Sequence, residues 1–210
     1  VYHLAKARVI VSLDTDLFGH HPAKVYNAAG WVKGRRSADE TREMNRLYIA
    51  ESTMSVTGTR ADHRLPIRPF RLASVAIALA NALGVGSHGT AELTEGERAF
   101  VAAAAADLKA AGPAGVVTVG LHVSPDVQAL AHAINAALGA VGNTVTVHAL
   151  PEDARESQVA SLKNLVEQMR SGQISALLIL GGNPAYDAPA DVEFAGALRQ
   201  VRTAAHLSHY

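Results

Sequence analysis

The chain has 210 residues, 49% of them hydrophobic, and its 19 lysines and arginines balance 19 aspartates and glutamates. There is apolar material for one large core or two small ones, no basic excess to favour a nucleic-acid partner, and no cysteine for a disulfide, a thiolate nucleophile or a cluster ligated by four thiolates. No apolar run approaches the roughly 18 residues of a membrane span and no signal peptide opens the chain, although a first residue of Val1 rather than Met leads us to expect an excised segment of a longer protein.

Residues 7–13 read as a first strand, because the run is mostly apolar and lacks polar alternation, as in parallel strands covered on both faces. It breaks into Asp14-Thr15-Asp16, and a helix-like stretch follows Pro22. Residues 46–51 are a second strand ending in Glu51. Between Thr57 and Pro69 the chain carries Asp62, His63, Arg64 and Arg68 on a path that Pro66 and Pro69 stiffen. So many polar groups there form either a ligand shell or an ion-paired corner, and the residues alone favour the corner.

Leu72, Val75, Ala76, Leu79 and Leu83 then recur at helical spacing before Gly84, a C-terminal stop. The glycine-rich residues 84–94 are the best candidate linker. Thr94 and Glu97 resemble a capping box ahead of the alanine-rich 100–111. Residues 115–119 are a third strand. Ser124 and Pro125 open a helix whose stripe is Val127, Leu130, Ala131, Ile134 and Leu138, closed by Gly139. Residues 144–148 read as a fourth strand and 175–180 as a fifth, with a helical stripe of Val159, Leu162, Leu165, Val166 and Met169 between them.

Alternating strands and helices predict an α/β fold: Rossmann-like three-layer lobes with mostly parallel sheets, divided into residues 1–88 and 89–210, or one sheet with a long insertion. The run from Leu177 through Gly181-Gly182-Asn183-Pro184 echoes the run from Val9 through Asp16, and each has a proline nine residues after its last leucine, Pro22 after Leu13 and Pro189 after Leu180. This constant offset suggests two related strand-turn-helix units.

Open parallel sheets bind ligands beyond the carboxyl ends of their strands, so the turns are the positions that matter. Gly181-Gly182-Asn183-Pro184 would let backbone amides approach a phosphate, or is simply a tight turn that needs glycine. At the equivalent first turn, Asp14 and Asp16 put carboxylates where a phosphate would sit. Two unpaired carboxylates would repel it by about 1 kcal/mol each at a protein surface. The bland reading is that one of them caps the following helix, and a divalent cation is a minor alternative. The ten histidines, His20-His21 and the pair His206 and His209 among them, show no zinc-site spacing, so no metal is assigned. No nucleophile elbow occurs, and the dinucleotide fingerprint Gly-x-Gly-x-x-Gly is absent from every strand-helix junction.

The stretch Ala61-Asp62-His63-Arg64-Leu65-Pro66-Ile67-Arg68-Pro69, the helix after it and the later Gly181-Gly182-Asn183-Pro184 resemble the molybdopterin oxidoreductase superfamily. Within it, residues 13–18, 44–52 and 57–64 are most similar to the molybdopterin-oxidoreductase-like iron-sulfur subunit of bacterial alternative complex III. The resemblance implies a segment of an electron-transfer subunit, on the periplasmic side of a membrane complex that oxidises quinol. Its partners would be the rest of its own chain and the other subunits, and its iron-sulfur clusters would lie elsewhere in the parent chain.

Active members of the superfamily hold a molybdopterin guanine dinucleotide near Gly-x-Asn-Pro turns and a Pro-Gly-Thr-Asp corner. This chain has Asp14-Thr15-Asp16 at the first turn and Phe70-Arg71-Leu72 after Pro69, so half of that cradle is altered. The expectation is therefore a scaffold with no catalytic residue and no bound molybdopterin. The alternative is a cofactor-binding segment of an active enzyme, with Gly120, Gly181, Gly182, Asn183 and Thr57 on the cofactor. Exposed apolar surface and a tendency to self-associate are expected of an excised segment.

Overall fold

The computed structural model describes residues 1–35, 44–86, 89, 91–149 and 156–208. The expected linker 84–94 and the pair His206 and His209 fall partly outside these residues. The chain divides into a unit of Val1–His148 and a unit of Ala149–Tyr210.

In the first unit the elements follow in the order β1 (Val9–Leu13), α1 (Lys24–Lys33), β2 (Arg46–Glu51), β3 (His63–Pro66), α2 (Leu72–Ala82), α3 (Glu95–Ala111), β4 (Gly115–Val119) and α4 (Pro125–Ala137). The four strands form one parallel sheet in the order β3-β2-β1-β4. All five residues of β1, the polar Ser12 included, are buried, as its lack of polar alternation predicts. Alternate side chains serve opposite faces. Val9, Val11 and Leu13 pack with Tyr48, Ala50 and Val117 under α2, α3 and α4. Ile10 packs with Leu47 and Val116 against Leu4, Leu17 and Val145, where Trp31 of α1 also lies. The result is the α/β, Rossmann-like layering that the sequence predicts.

The helix ends follow the local chemistry. Thr94 Oγ1 accepts the Glu97 amide and Glu97 returns the contact to the Thr94 amide, the capping box expected of α3. Glu97 also holds Arg71, and Arg71, with burial opposing and the Thr94 cap assisting, brings the Glu97 carboxyl down to about 2.

Three expectations are redrawn. The division of the chain lies at 148/149 and not at 88/89. Helices α2 and α3 share the core on one face of the sheet, and β4 pairs with β1, so the glycine-rich stretch joins two helices within a single unit. Residues 144–148 do not form a strand. Val145 makes an isolated bridge to Tyr2, and the Thr144 hydroxyl turns to the Gly115 carbonyl at 2.7 Å. Conversely, the proline-stiffened path contributes β3, an edge strand ending at Pro66, the position in a sheet that a proline tolerates.

The ion-paired corner is present. The Arg35 guanidinium forks onto both oxygens of Asp62, whose Oδ2 also accepts the Leu47 amide at 2.7 Å. The end of α1 is thereby tied to β2.

The second unit holds α5 (Gln158–Arg170), β5 (Ala176–Leu180), α6 (Pro184–Asp187), α7 (Phe194–Leu198) and β6 (Thr203–Leu207). Its two strands are parallel, and Leu177 and Ile179 turn toward a small core of Val166, Met169, Val192, Phe194, Ala197 and Val201. Leu178 and Leu180 point the other way and are exposed, as is Leu207 on β6, so the expected apolar surface is found here.

Candidate functional site

From β1 the chain steps outward to β2 and β3, then returns to place β4 on the other side of β1. The carboxyl ends of β1 and β4 are thus the switch point of the sheet, where the loops diverge and leave a crevice. A cavity of about 550 Å³ lies there, lined by Asp14, Asp16, His20, His21, Ser52 and His122 among others.

Asp14 ends β1 with φ of 52°, a left-handed conformation that aspartate tolerates better than most residues. Its Oδ1 accepts the Ser52 amide at 3.0 Å, and its Oδ2 lies 3.1 Å from Nε2 of His122. Asp16 is held more tightly. Its Oδ1 accepts the Gly19 amide at 3.1 Å, the Thr57 amide at 3.1 Å and the Thr57 hydroxyl at 2.9 Å. Its Oδ2 accepts the His20 amide at 3.1 Å and lies 2.9 Å from the His20 ring. Burial resists its ionisation, but the contacts from His20, Thr57 and Gly19 outweigh that and hold the carboxyl below the usual aspartate range.

Both carboxylates are therefore paired, which corrects the picture of two bare charges facing the turn. Nor does Asp16 cap α1. It caps the turn before that helix, whose own N-cap is Ala23. The physical obstacle to a phosphate is stronger than repulsion alone, since an anion built into the chain already takes the amides a phosphate would need.

Neighbouring residues hold this arrangement in place. Glu51, its side chain 2% exposed, accepts Arg64 Nε at 2.5 Å and the Ser55 hydroxyl at 2.6 Å. A Cβ on Gly58 would fall 1.9 Å from Glu51 Oε1, and one on Gly19 would fall 2.1 Å from Asp16 Oδ2. Glycine at these positions is the only residue that lets the backbone rest on a carboxylate. On the far wall, His21 Nδ1 accepts the Ala23 amide at 3.0 Å and also meets Asn27 Nδ2 at 3.2 Å. Burial lowers the His21 pKa.

Among the residues singled out from sequence, Gly120 lines the cavity, where a Cβ would strike the Asp14 carbonyl oxygen at 2.5 Å. Thr57 is fully buried, and its hydroxyl is shared between Asp16 and the Phe18 amide. Gly181, Gly182 and Asn183 lie together in the second unit, beyond the carboxyl end of β5. There they line a crevice of about 770 Å³ with Asp187, His206, Leu207 and Ser208. Gly181 and Gly182 both take positive φ, 72° and 66°. The Gly181 amide is given to the Leu207 carbonyl at 3.1 Å and the Asn183 amide to Asp187 Oδ2 at 3.1 Å. The Gly182 amide has no partner among the described residues.

The sequence reading gave His21 no role and passed over His122 and Asp187. Only Asp187 had a local signal, its position four residues after Asn183. Among the described residues no three histidine, aspartate or glutamate side chains converge on a possible metal position. No described helix is long and apolar enough to cross a membrane. In comparison with known proteins, the chain matches no family model and no curated protein.

Proposed function

We propose that this chain is a non-catalytic scaffold segment of a molybdopterin-oxidoreductase-like iron-sulfur electron-transfer subunit, in a respiratory complex that oxidises quinol on the periplasmic side of a membrane. The observation that carries the reading is the Asp16 carboxylate, seated on the amides of Gly19, His20 and Thr57 at the switch point of the sheet. A dinucleotide diphosphate placed there would have to displace a largely enclosed, well-bonded anion, and among the described residues no lysine or arginine lines the cavity to compensate. The first turn does not fit a molybdopterin guanine dinucleotide. The segment contributes shape and docking surface to a subunit whose clusters sit on cysteines elsewhere in the parent chain.

The test is elemental analysis for molybdenum on the complete subunit, with isothermal titration of guanine nucleotides. The scaffold reading expects neither metal nor binding heat, and stoichiometric molybdenum ends it. One observation favours a second reading, in which the segment binds the cofactor of an active enzyme. The crevice of Gly181, Gly182 and Asn183 is open, and its Gly182 amide has no partner among the described residues. Guanine nucleotide binding that fails in a Gly182→Val variant would support that reading.

A further inference from the structure

Helix α1 is built inside out. An ordinary surface helix turns its apolar stripe to the core. In α1 the one fully buried residue is Asn27, while Val25 is 77% exposed and Val32 39% exposed. Val25, Ala28, Ala29 and Val32 fall at the three- and four-residue steps of a single stripe and, with Phe18 and Gly19, line an open groove of about 750 Å³. Lys24 and Lys33 close its two ends, and neither has an ion-pair partner among the described residues. Lys24 is also locally unfavourable. It sits in the first turn, at the positive end of the helix dipole, and no acidic residue occupies that turn. An apolar trough on the solvent side and a lysine at the unfavourable helix end, without an acidic partner among the described residues, both suit a docked partner.

From this geometry we infer that the outer face of α1 docks an amphipathic helix of another protein, one that lays apolar side chains between Val25 and Val32 and presents acidic residues to Lys24 and Lys33. Ala28 and Ala29 lower the middle of the stripe so that a second helix can approach closely. The two lysines lie nine residues apart, roughly 14 Å along the helix axis, which sets the spacing of the acids on the partner. The occupant is acidic because both ends of the groove are cationic, and charge of this kind sets partner choice more than affinity. This inference deepens the scaffold reading and fails separately from it, since molybdenum content decides the one and helix binding the other.

The probe is a helix-stabilised, leucine-rich peptide of about 14 residues with two glutamates at that spacing, and a control carrying lysines in their place. Fluorescence anisotropy of the labelled peptides against the full-length protein gives affinity. Emission from Trp31, which packs on Phe18 at 5.2 Å, reports whether the groove is the place of contact. The expected result is binding of the glutamate peptide alone. It should weaken about tenfold or more in Val25→Asp, and the preference should reverse toward the lysine peptide in Lys24→Glu with Lys33→Glu. All three positions are at the surface, so the variants keep the fold. Equal binding of both peptides, binding that survives Val25→Asp, or no binding overturns the inference. So does a concentration-dependent dimer that Val25→Asp abolishes, because a second copy would then own the face.

Discussion

The two strand-turn junctions of this chain answer one physical problem in opposite ways. After β1, the turn around Asp16 is closed, with one carboxylate bonded to Gly19, His20 and Thr57 and 10% of its side chain exposed. After β5, the turn at Gly181 and Gly182 is open, and exposed Asp187 takes only the Asn183 amide. Both turns carry an internal acceptor, but one is saturated and the other minimal. A shared junction geometry thus says little about ligand binding until the fate of each amide is counted.

The glycines make the same contrast, and substituting them gives the largest expected effect. Gly58→Ala drives a methyl into the buried Glu51 carboxylate, which Arg64 and Ser55 prevent from moving away. We expect a loss of about 3 kcal/mol in urea denaturation. Gly181→Ala meets no atom within 4 Å, so it carries only the backbone cost of its positive φ, about 1 kcal/mol. If the two variants lose equal stability, the contrast between closeness and conformation as reasons for glycine is mistaken.

Between these extremes lies Asp16→Ala. It strands the buried Thr57 hydroxyl and the amides of Gly19 and Thr57, while the His20 amide keeps the Asp16 carbonyl at 3.3 Å, and about 2 kcal/mol should be lost. The freed amides should then accept an exogenous anion. Sulfate is expected to raise the melting temperature of Asp16→Ala more than that of the parent, and an equal rise would show that Asp16 does not stand in for an anion.

Acid probes the closed unit in a third way. Glu97 has its carboxyl brought down to about 2 from an unfolded value near 4.5. Since the folded pKa is the lower one, its contribution is complete above about 4.5 and is lost as pH falls from there toward 2. Glu97→Gln should remove part of that acid sensitivity and about 1–2 kcal/mol at neutral pH, measured by denaturation at pH 7 and pH 3.

Much of this architecture was legible because apolar runs and caps are local. The strands β1, β2, β4 and β5 announce themselves by β-branched and leucine residues, and the Thr94–Glu97 box marks the start of α3 without tertiary help. Less visible was β6, whose Thr203-Ala204-Ala205-His206-Leu207 has little strand character and is ordered by pairing with β5. Residues 144–148 mislead in the other direction. Their alternating valines and threonines suit a strand, yet the segment meets the chain's first residues in a single bridge. At the site, the position of both turns could be read, but not their chemistry. Asp16 meets Thr57 across 41 residues of sequence, and no local pattern encodes such a contact.

His21 carries a consequence for helix α1. The Ala23 amide donates to its Nδ1, so the neutral ring carries its proton on Nε2 and a proton added at Nδ1 would displace that bond. The beginning of the docking helix is fastened by an imidazole that must stay uncharged. Burial depresses the pKa of that ring, so the fastening is complete at and above the ordinary histidine range and slips as acidity passes the depressed value. Nitrogen-15 shifts of His21 report the tautomer directly, and a proton on Nδ1 at neutral pH would refute this. The face proposed for a partner thus begins beside a neutral imidazole, whose bond from Ala23 is expected to weaken in acidic surroundings.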